Sequence, residues 1–240
     1  MKRTMRIGVL VPPGNPTTEP EVIRLVPPGV TVHFTRMVAH GVTGSLDGQE
    51  ERNRTQIAHL DDNVALLAMV KPDVIVLGHT ATSYTLGREG EAALVARMER
   101  TTGVPFITAF GSVVRALGHL GVQRVALGAP YSRTETLRSK AHLEAHGLVV
   151  VHAANLEGVS NIYDETPERA HALGCSVDRP EAQAVFLSGV GLPTIDVLER
   201  LERELGKPAL SSAAAMMWNA LRTIGVTTPV TGFGRLLANP

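Results

Sequence analysis

Short uninterrupted apolar runs recur along the chain. Each closes in a Gly-, Pro-, Ser- or Thr-rich turn and leads into a stretch with helical spacing. Runs at Arg6–Val11, Val30–Arg36, Asp73–Gly78, Pro105–Thr108, Arg124–Gly128, Leu148–His152, Gln183–Ser188 and Pro208–Ser211 predict strands. Their apolar positions do not alternate, which suits parallel strands covered on both faces. Between them, Gln49–Val70 carries Ile57, Leu60, Val64, Leu67 and Ala68 at helical spacing and predicts one long helix. Arg133–His146 predicts a helix closed by Gly147, and Ile195–Leu205 one closed by Gly206. This alternation predicts an α/β fold with right-handed crossovers.

The chain also resembles itself at long range. Val74-Ile-Val-Leu-Gly78-His79-Thr80 lines up with Ala184-Val-Phe-Leu-Ser188-Gly189-Val190. Gly103-Val-Pro-Phe-Ile-Thr108 lines up with Gly206-Lys-Pro-Ala-Leu-Ser211, and the Ala116-Leu117 and Ala220-Leu221 segments follow suit. Arg6–Pro12 matches Arg124–Pro130 more loosely. The period is too long for a solenoid. It predicts two pseudo-symmetric four-stranded parallel units, over 1–117 and 118–225, with 226–240 packing back on the first. Ligands of such sheets bind beyond the carboxyl ends of the strands, so the cleft between the halves is the expected site.

Composition narrows the class. Lys+Arg and Asp+Glu both number 23, leaving zero formal charge among 240 residues and no overall attraction to nucleic acid or an anionic membrane. Apolar residues make up 44%, too many for disorder at this charge balance. No apolar run reaches the roughly 18 residues of a membrane span. The basic start before Ile7–Val11 mimics a signal peptide but stops at Pro12-Pro13, so a first buried strand in a cytoplasmic protein is expected. A single cysteine excludes an internal disulfide and paired-cysteine metal sites.

The strand ends carry the candidate chemistry. After the first comes Pro12-Pro-Gly-Asn15-Pro-Thr17-Thr18-Glu19-Pro-Glu21. This reads either as a turn with a helix cap, or as an Asn amide and backbone N–H groups offered to an anion. After the third comes Gly78-His79-Thr80-Ala81-Thr82-Ser83, a run of small hydroxylated residues suited to cradling a carboxylate. His79 is its only titratable group, structural or an acid–base catalyst. The fifth strand leads to Ala129-Pro130-Tyr131 and the seventh to Ser188-Gly189-Val190-Gly191-Leu192-Pro193-Thr194. That Gly-x-Gly lacks the rest of a dinucleotide fingerprint, and no Walker A motif or serine elbow is present.

Together, Asn15-Pro-Thr-Thr-Glu-Pro-Glu, the Thr80 strand end, Ala129-Pro-Tyr131, Ser188–Thr194 and the closing Gly232-Phe-Gly-Arg-Leu236 resemble the Asp/Glu racemase superfamily. The nearest branch is that of maleate cis-trans isomerase and arylmalonate decarboxylase, and the resemblance spans nearly the whole chain. It implies the pseudo-symmetric fold, a cofactor-free site between the halves, and a small carboxylate or dicarboxylate as substrate. It implies that Asn15, Thr80, Ala81, Tyr131, Gly189 and backbone N–H groups near Val190 surround a substrate carboxylate and stabilise an enediolate. It also places Val42, Val159 and Ile162 at an apolar pocket. The family carries a cysteine at one or both equivalent strand ends; here those positions read His79 and Gly189. Cys175 follows a helix and precedes the seventh strand, away from the cleft. What remains is cofactor-independent lyase or isomerase chemistry with His79 in the cysteine's place and Gly189 leaving room for substrate bulk. The rivals are a hydrolase or hydratase in which His79 activates water, and a carboxylate-binding protein without catalysis.

Other features read more plainly. His142 and His146 stand four apart on one helix, a metal-ligand spacing, but no His-Glu-x-x-His motif accompanies them and a helix carboxyl end favours His, so no metal is expected. Met216-Met217-Trp218 reads as core, Ser211 and Ser212 as a helix cap, and Glu199–Glu204 as a solvated face.

Overall fold

The computed structural model describes residues 3–42, 46 and 48–239. All eight expected strands form: β1 (Met5–Val11), β2 (Val30–Arg36), β3 (Val74–Leu77), β4 (Phe106–Thr108), β5 (Arg124–Ala129), β6 (Val149–Asn155), β7 (Ala184–Leu187) and β8 (Ala209–Ser211). They make two separate all-parallel sheets, ordered β2-β1-β3-β4 and β6-β5-β7-β8. The two orders are one pattern repeated, as the internal alignment predicts. The central strands β3 and β7 are buried at every position, which explains their unbroken apolar runs.

The helices are α1 (Thr18–Ile23), α2 (Gln49–Ala58), α3 (Leu60–Ala68), α4 (Thr80–Thr102), α5 (Ala109–His119), α6 (Arg133–Ala145), α7 (Pro167–Val177), α8 (Ile195–Leu205), α9 (Ser212–Thr223) and α10 (Arg235–Ala238). The single helix expected over Gln49–Val70 is two. His59, at φ −99° and ψ 10°, leaves the helical region and turns the chain between α2 and α3. The turn separates two environments. Leu60, Val64 and Leu67 of α3 pack into the core, whereas the buried residues of α2 are the polar Asn53 and Gln56.

The halves meet through matched helices. Thr108 Oγ1 caps α5 by accepting from the Gly111 N–H at 2.8 Å, and its repeat partner Ser211 caps α9 by accepting from the Ala214 N–H at 3.2 Å. Helices α5 and α9 pack together, and α9 also reaches β3 and β4 of the first sheet. Met216, Met217 and Trp218 are buried in this seam, as core residues. The closing segment leans on both halves rather than on the first alone: Phe233 lies under the Arg24 guanidinium, while the Arg235 N–H donates to Glu202 at 2.8 Å.

Polar bonds register the halves. Glu21 Oε1, from α1, accepts the N–H groups of Thr194 (2.6 Å) and Ile195 (3.1 Å) at the start of α8. Thr18 Oγ1 donates to the Val190 carbonyl at 3.2 Å. Arg24 forks onto Asp196 at 2.6 and 2.9 Å, an exposed pair that contributes little by itself.

Burial outweighs the two N–H bonds at Glu21 and raises its carboxyl from 4.5 to about 7. The folded protein therefore holds this proton over a range where the unfolded chain has lost it. Its stabilising effect is complete below about pH 4.5 and is lost as pH rises through about 7. Glu21→Gln keeps an accepting oxygen and has no proton to lose. Compared with the variant, the wild type should lose stability at up to about 1.4 kcal/mol per pH unit within that window. Urea midpoints of both proteins across the window read the difference; parallel pH profiles would refute the assignment.

Candidate active site

A cavity of about 310 Å3 opens where the carboxyl ends of the two sheets face each other. Its walls come from the β1–α1 turn (Pro12–Pro16), Leu46, one face of α2, the β3–α4 junction (Gly78–Thr80), Tyr131 after β5, and two further second-half segments, Asn161–Asp164 and Val190-Gly191.

The β1–α1 turn is built by Asn15. Its Oδ1 accepts the N–H groups of Thr17 (2.9 Å) and Thr18 (3.0 Å), the turn geometry expected of asparagine. Its amide nitrogen donates to Thr18 Oγ1 at 2.8 Å, and the second amide hydrogen remains for the cavity. The turn is thus real and aims the amide, but the expected threonine cap is not made: Thr17 stands at the N-cap of α1 without a side-chain cap bond.

His79 ends β3 and stands at the N-cap of α4. Its Nδ1 lies 2.8 Å from Thr82 Oγ1, one turn into the helix, which fixes the ring and leaves Nε2 as the nitrogen for a ligand. Burial first, and the Arg52 charge second, push its pKa from 6.5 down to about 4. The ring is therefore neutral at neutral pH. Thr80 Oγ1 is buried beside it with no hydrogen-bond partner. Across the cleft, burial raises the Tyr131 hydroxyl well above its ordinary value, so it stays protonated.

Of the residues expected at the site, Asn15, His79, Thr80, Tyr131, Val190 and Ile162 come together on the cavity wall. The others do not. Ala81 packs into the core beneath it. Val42 is 58% exposed, and Val159 is half-buried off the wall, so only Ile162 of the expected apolar pocket is present there. Gly189 leaves no free space. A Cβ there would meet Tyr131 Oη at 3.0 Å, Pro130 Cγ at 3.1 Å and Ile162 Cδ1 at 3.2 Å, at a φ of +96°. Its N–H is taken by Ser212 Oγ at 3.1 Å, so Ser212 braces this turn instead of capping α9. The donors left at the turn are the N–H groups of Val190 and Gly191.

Several wall residues escape a search for apolar faces. Gln49, Arg52, Asn53 and Gln56 fall at i, i+3, i+4 and i+7, and α2 presents them as a polar stripe to the cavity. Gln56 Oε1 is buried without a partner. Arg52 brings a cation, and its guanidinium also donates to the Val42 carbonyl. Tyr163 enters from the second half. Its ring fits because residue 191 is glycine: a Cβ there would lie 2.6 Å from Tyr163 Cε1. Cys175 lies elsewhere, exposed on α7, with Sγ 3.8 Å from His171 Nε2 and 4.0 Å from Glu204 Oε2. Among the described residues, the two groupings of three metal-ligating side chains both lie off the cavity wall. No helix among them is long and apolar enough to cross a membrane.

Comparison with known proteins agrees along the whole chain. The arylmalonate decarboxylase family model matches residues 7–237. A maleate isomerase of Nocardia farcinica is 33% identical, over 97% of this chain and 95% of its own. An arylmalonate decarboxylase of Bordetella bronchiseptica is 30% identical, over 97% of this chain and 96% of its own. Among solved structures, the Nocardia farcinica maleate cis-trans isomerase carrying a covalently bound succinylcysteine intermediate superposes with a TM-score of 0.89, at 29% identity, covering 98% of each chain. Unliganded arylmalonate decarboxylase superposes at 0.82, at 27% identity, over 98% of this chain and 99% of its own.

The two glycines give a direct test of the cavity's shape. Gly189→Ala is expected to cost about 1–3 kcal/mol through its positive φ and the crowding at Tyr131. Gly191→Ala should cost a similar amount by displacing Tyr163, and adding Tyr163→Leu should return part of it. Urea unfolding of the single and double variants measures both; strictly additive losses at 163 and 191 would show that the ring does not depend on the glycine.

Proposed function

The chain belongs to the arylmalonate decarboxylase family of isomerases and decarboxylases, and from that premise we propose a decarboxylase-like lyase in which His79 handles the proton. The substrate is a small carboxylate or dicarboxylate, and the intermediate is an enediolate. The observation that carries the reading is His79 on the cavity wall, tethered through Nδ1 to Thr82 and facing Asn15, Tyr131 and the unpartnered Thr80 hydroxyl. The succinylcysteine of the Nocardia isomerase structure requires a thiol in the site, and this chain's one cysteine lies outside it.

One substrate carboxylate binds to the Asn15 amide, Thr80 Oγ1, Tyr131 Oη and the N–H groups of Val190 and Gly191. All are neutral donors, and their hydrogen bonds strengthen as negative charge builds on the carboxylate oxygens. A second carboxylate lies toward His79 and Arg52. Its charge offsets the burial that otherwise keeps the imidazole neutral and draws a proton onto it. As this carboxylate leaves as CO2, the electrons of the breaking C–C bond pass into the enediolate. The imidazolium then delivers its proton to the carbon, which leaves His79 neutral again. The polar stripe of α2, with Arg52, Asn53 and Gln56, favours a polar second group over an aryl ring.

The experiment is turnover of small malonates and unsaturated dicarboxylates in D2O. CO2 release with one deuterium on the product carbon supports the reading; incorporation of solvent oxygen into a new C–O bond would replace it with hydration or hydrolysis. His79→Ala should lower kcat by about a hundredfold to ten-thousandfold while binding persists. With a free-enzyme pKa of about 4, kcat/KM should fall as pH rises above about 4, whereas kcat, which reports the bound complex, should hold to higher pH. Full turnover by His79→Ala would remove His79 from the mechanism.

A further inference from the structure

Behind the cavity wall, α4 of the first half meets α6 of the second, and three side chains converge there. Glu91 and His142 are both buried, with His142 Nε2 3.2 Å from Glu91 Oε2. One ring nitrogen of His146, a turn further along α6, completes a set of three ligand atoms all within 4.8 Å of one another. The carboxylate is already oriented. Its Oε1 accepts the hydroxyls of Ser83, at 2.6 Å, and Thr108, which leaves Oε2 to face the two imidazoles.

If the cluster were only a hydrogen-bonded brace, Glu91 and His142 would complete it. His146 is then surplus: its Nε2 is buried and has no hydrogen-bond partner. A buried imidazole nitrogen without a partner costs free energy unless something occupies it. Two histidines four apart on one helix plus a carboxylate from another element is a donor set for zinc. The 3.2 Å separation of the first two ligand atoms also matches an edge of a tetrahedron with bonds near 2.0 Å. Imidazole donors favour a transition ion over magnesium or calcium. The hydroxyls of Ser83 and Thr108 are the outer partners that hold a ligating carboxylate in place.

We propose that Glu91, His142 and His146 form a zinc site that ties the two halves together behind the cavity. Its ligands come from both halves, so the bound ion stabilises their closed arrangement without touching the substrate.

The test is zinc titration of the full chain after removal of metal by chelator, read by calorimetry and thermal unfolding. Cys175→Ser serves as background, because His171, Cys175 and Glu204 form a second grouping of possible ligands on the surface. We expect one zinc per chain and a rise in unfolding temperature reversed by chelator. His146→Asn should weaken binding at least about tenfold and leave the metal-free unfolding temperature close to wild type, since Nε2 makes no bond to lose. Absence of binding, or equal affinity in His146→Asn, overturns the site. Cobalt(II) substitution of the wild type decides independently of that variant's folding: tetrahedral absorption without a thiolate charge-transfer band is expected. A thiolate band lost in Cys175→Ser would place the ion at the surface grouping instead.

Discussion

One carboxylate oxygen, Glu21 Oε1, accepts two backbone N–H groups from the opposite half of the molecule. The two sheets share no strand, so no ladder of backbone hydrogen bonds sets their relative position. Apolar packing of α5 on α9 holds them together, but such packing is non-directional. Direction comes from short polar ties near the cleft: Glu21 on the start of α8, Thr18 on the Val190 carbonyl, and Tyr84 Oη with Ser188 Oγ at 2.8 Å. Asn15 belongs to the same network, since its amide donates to the Thr18 hydroxyl that reaches Val190. The residue that offers a hydrogen to the cavity is thereby held in register with the half it faces.

The same economy governs the second strand end. In the internal repeat, Gly189 stands opposite His79. In space the glycine belongs to Tyr131, Pro130 and Ile162, which close over it, and Gly191 belongs to the ring of Tyr163. The two ends have diverged in kind. One carries an ionisable ring; the other carries backbone that lets tyrosines approach. A thiol-bearing relative such as the Nocardia farcinica isomerase has its backbone in the same place, as the TM-score of 0.89 indicates. Differences in chemistry therefore come from side chains and not from the frame.

Much of this frame was legible along the chain. Unbroken apolar runs located eight parallel strands, and the long-range self-similarity matched the two identical sheet orders. Asn15, His79, Thr80 and Tyr131 follow strand ends, where such folds bind ligands, and the family resemblance singled out Asn15, Thr80 and Tyr131 among them. Three things were not legible, each for a physical reason. The break at His59 lies inside a continuous helical pattern, and the change from polar to apolar burial across it depends on what the neighbouring elements provide. The stripe of Gln49, Arg52, Asn53 and Gln56 faces a cavity rather than a core, so its signal is polar and looks like a solvated face. The partner of His142 is Glu91, 51 residues away on another helix, and no local motif announces that meeting.

His79 has no counterpart across the cleft. Two matched halves with a single imidazole on the cavity wall form a handed site, although their sheet orders are the same. In the proposed reaction a planar carbon intermediate, held by its carboxylate, would show one side to the imidazole and the other to tyrosine rings and backbone. Where its two remaining substituents differ, the new bond to hydrogen would form from the His79 side. Under the proposed mechanism, a substrate held in one orientation would then give a single mirror-image form, through the loss of symmetry between residues 79 and 189.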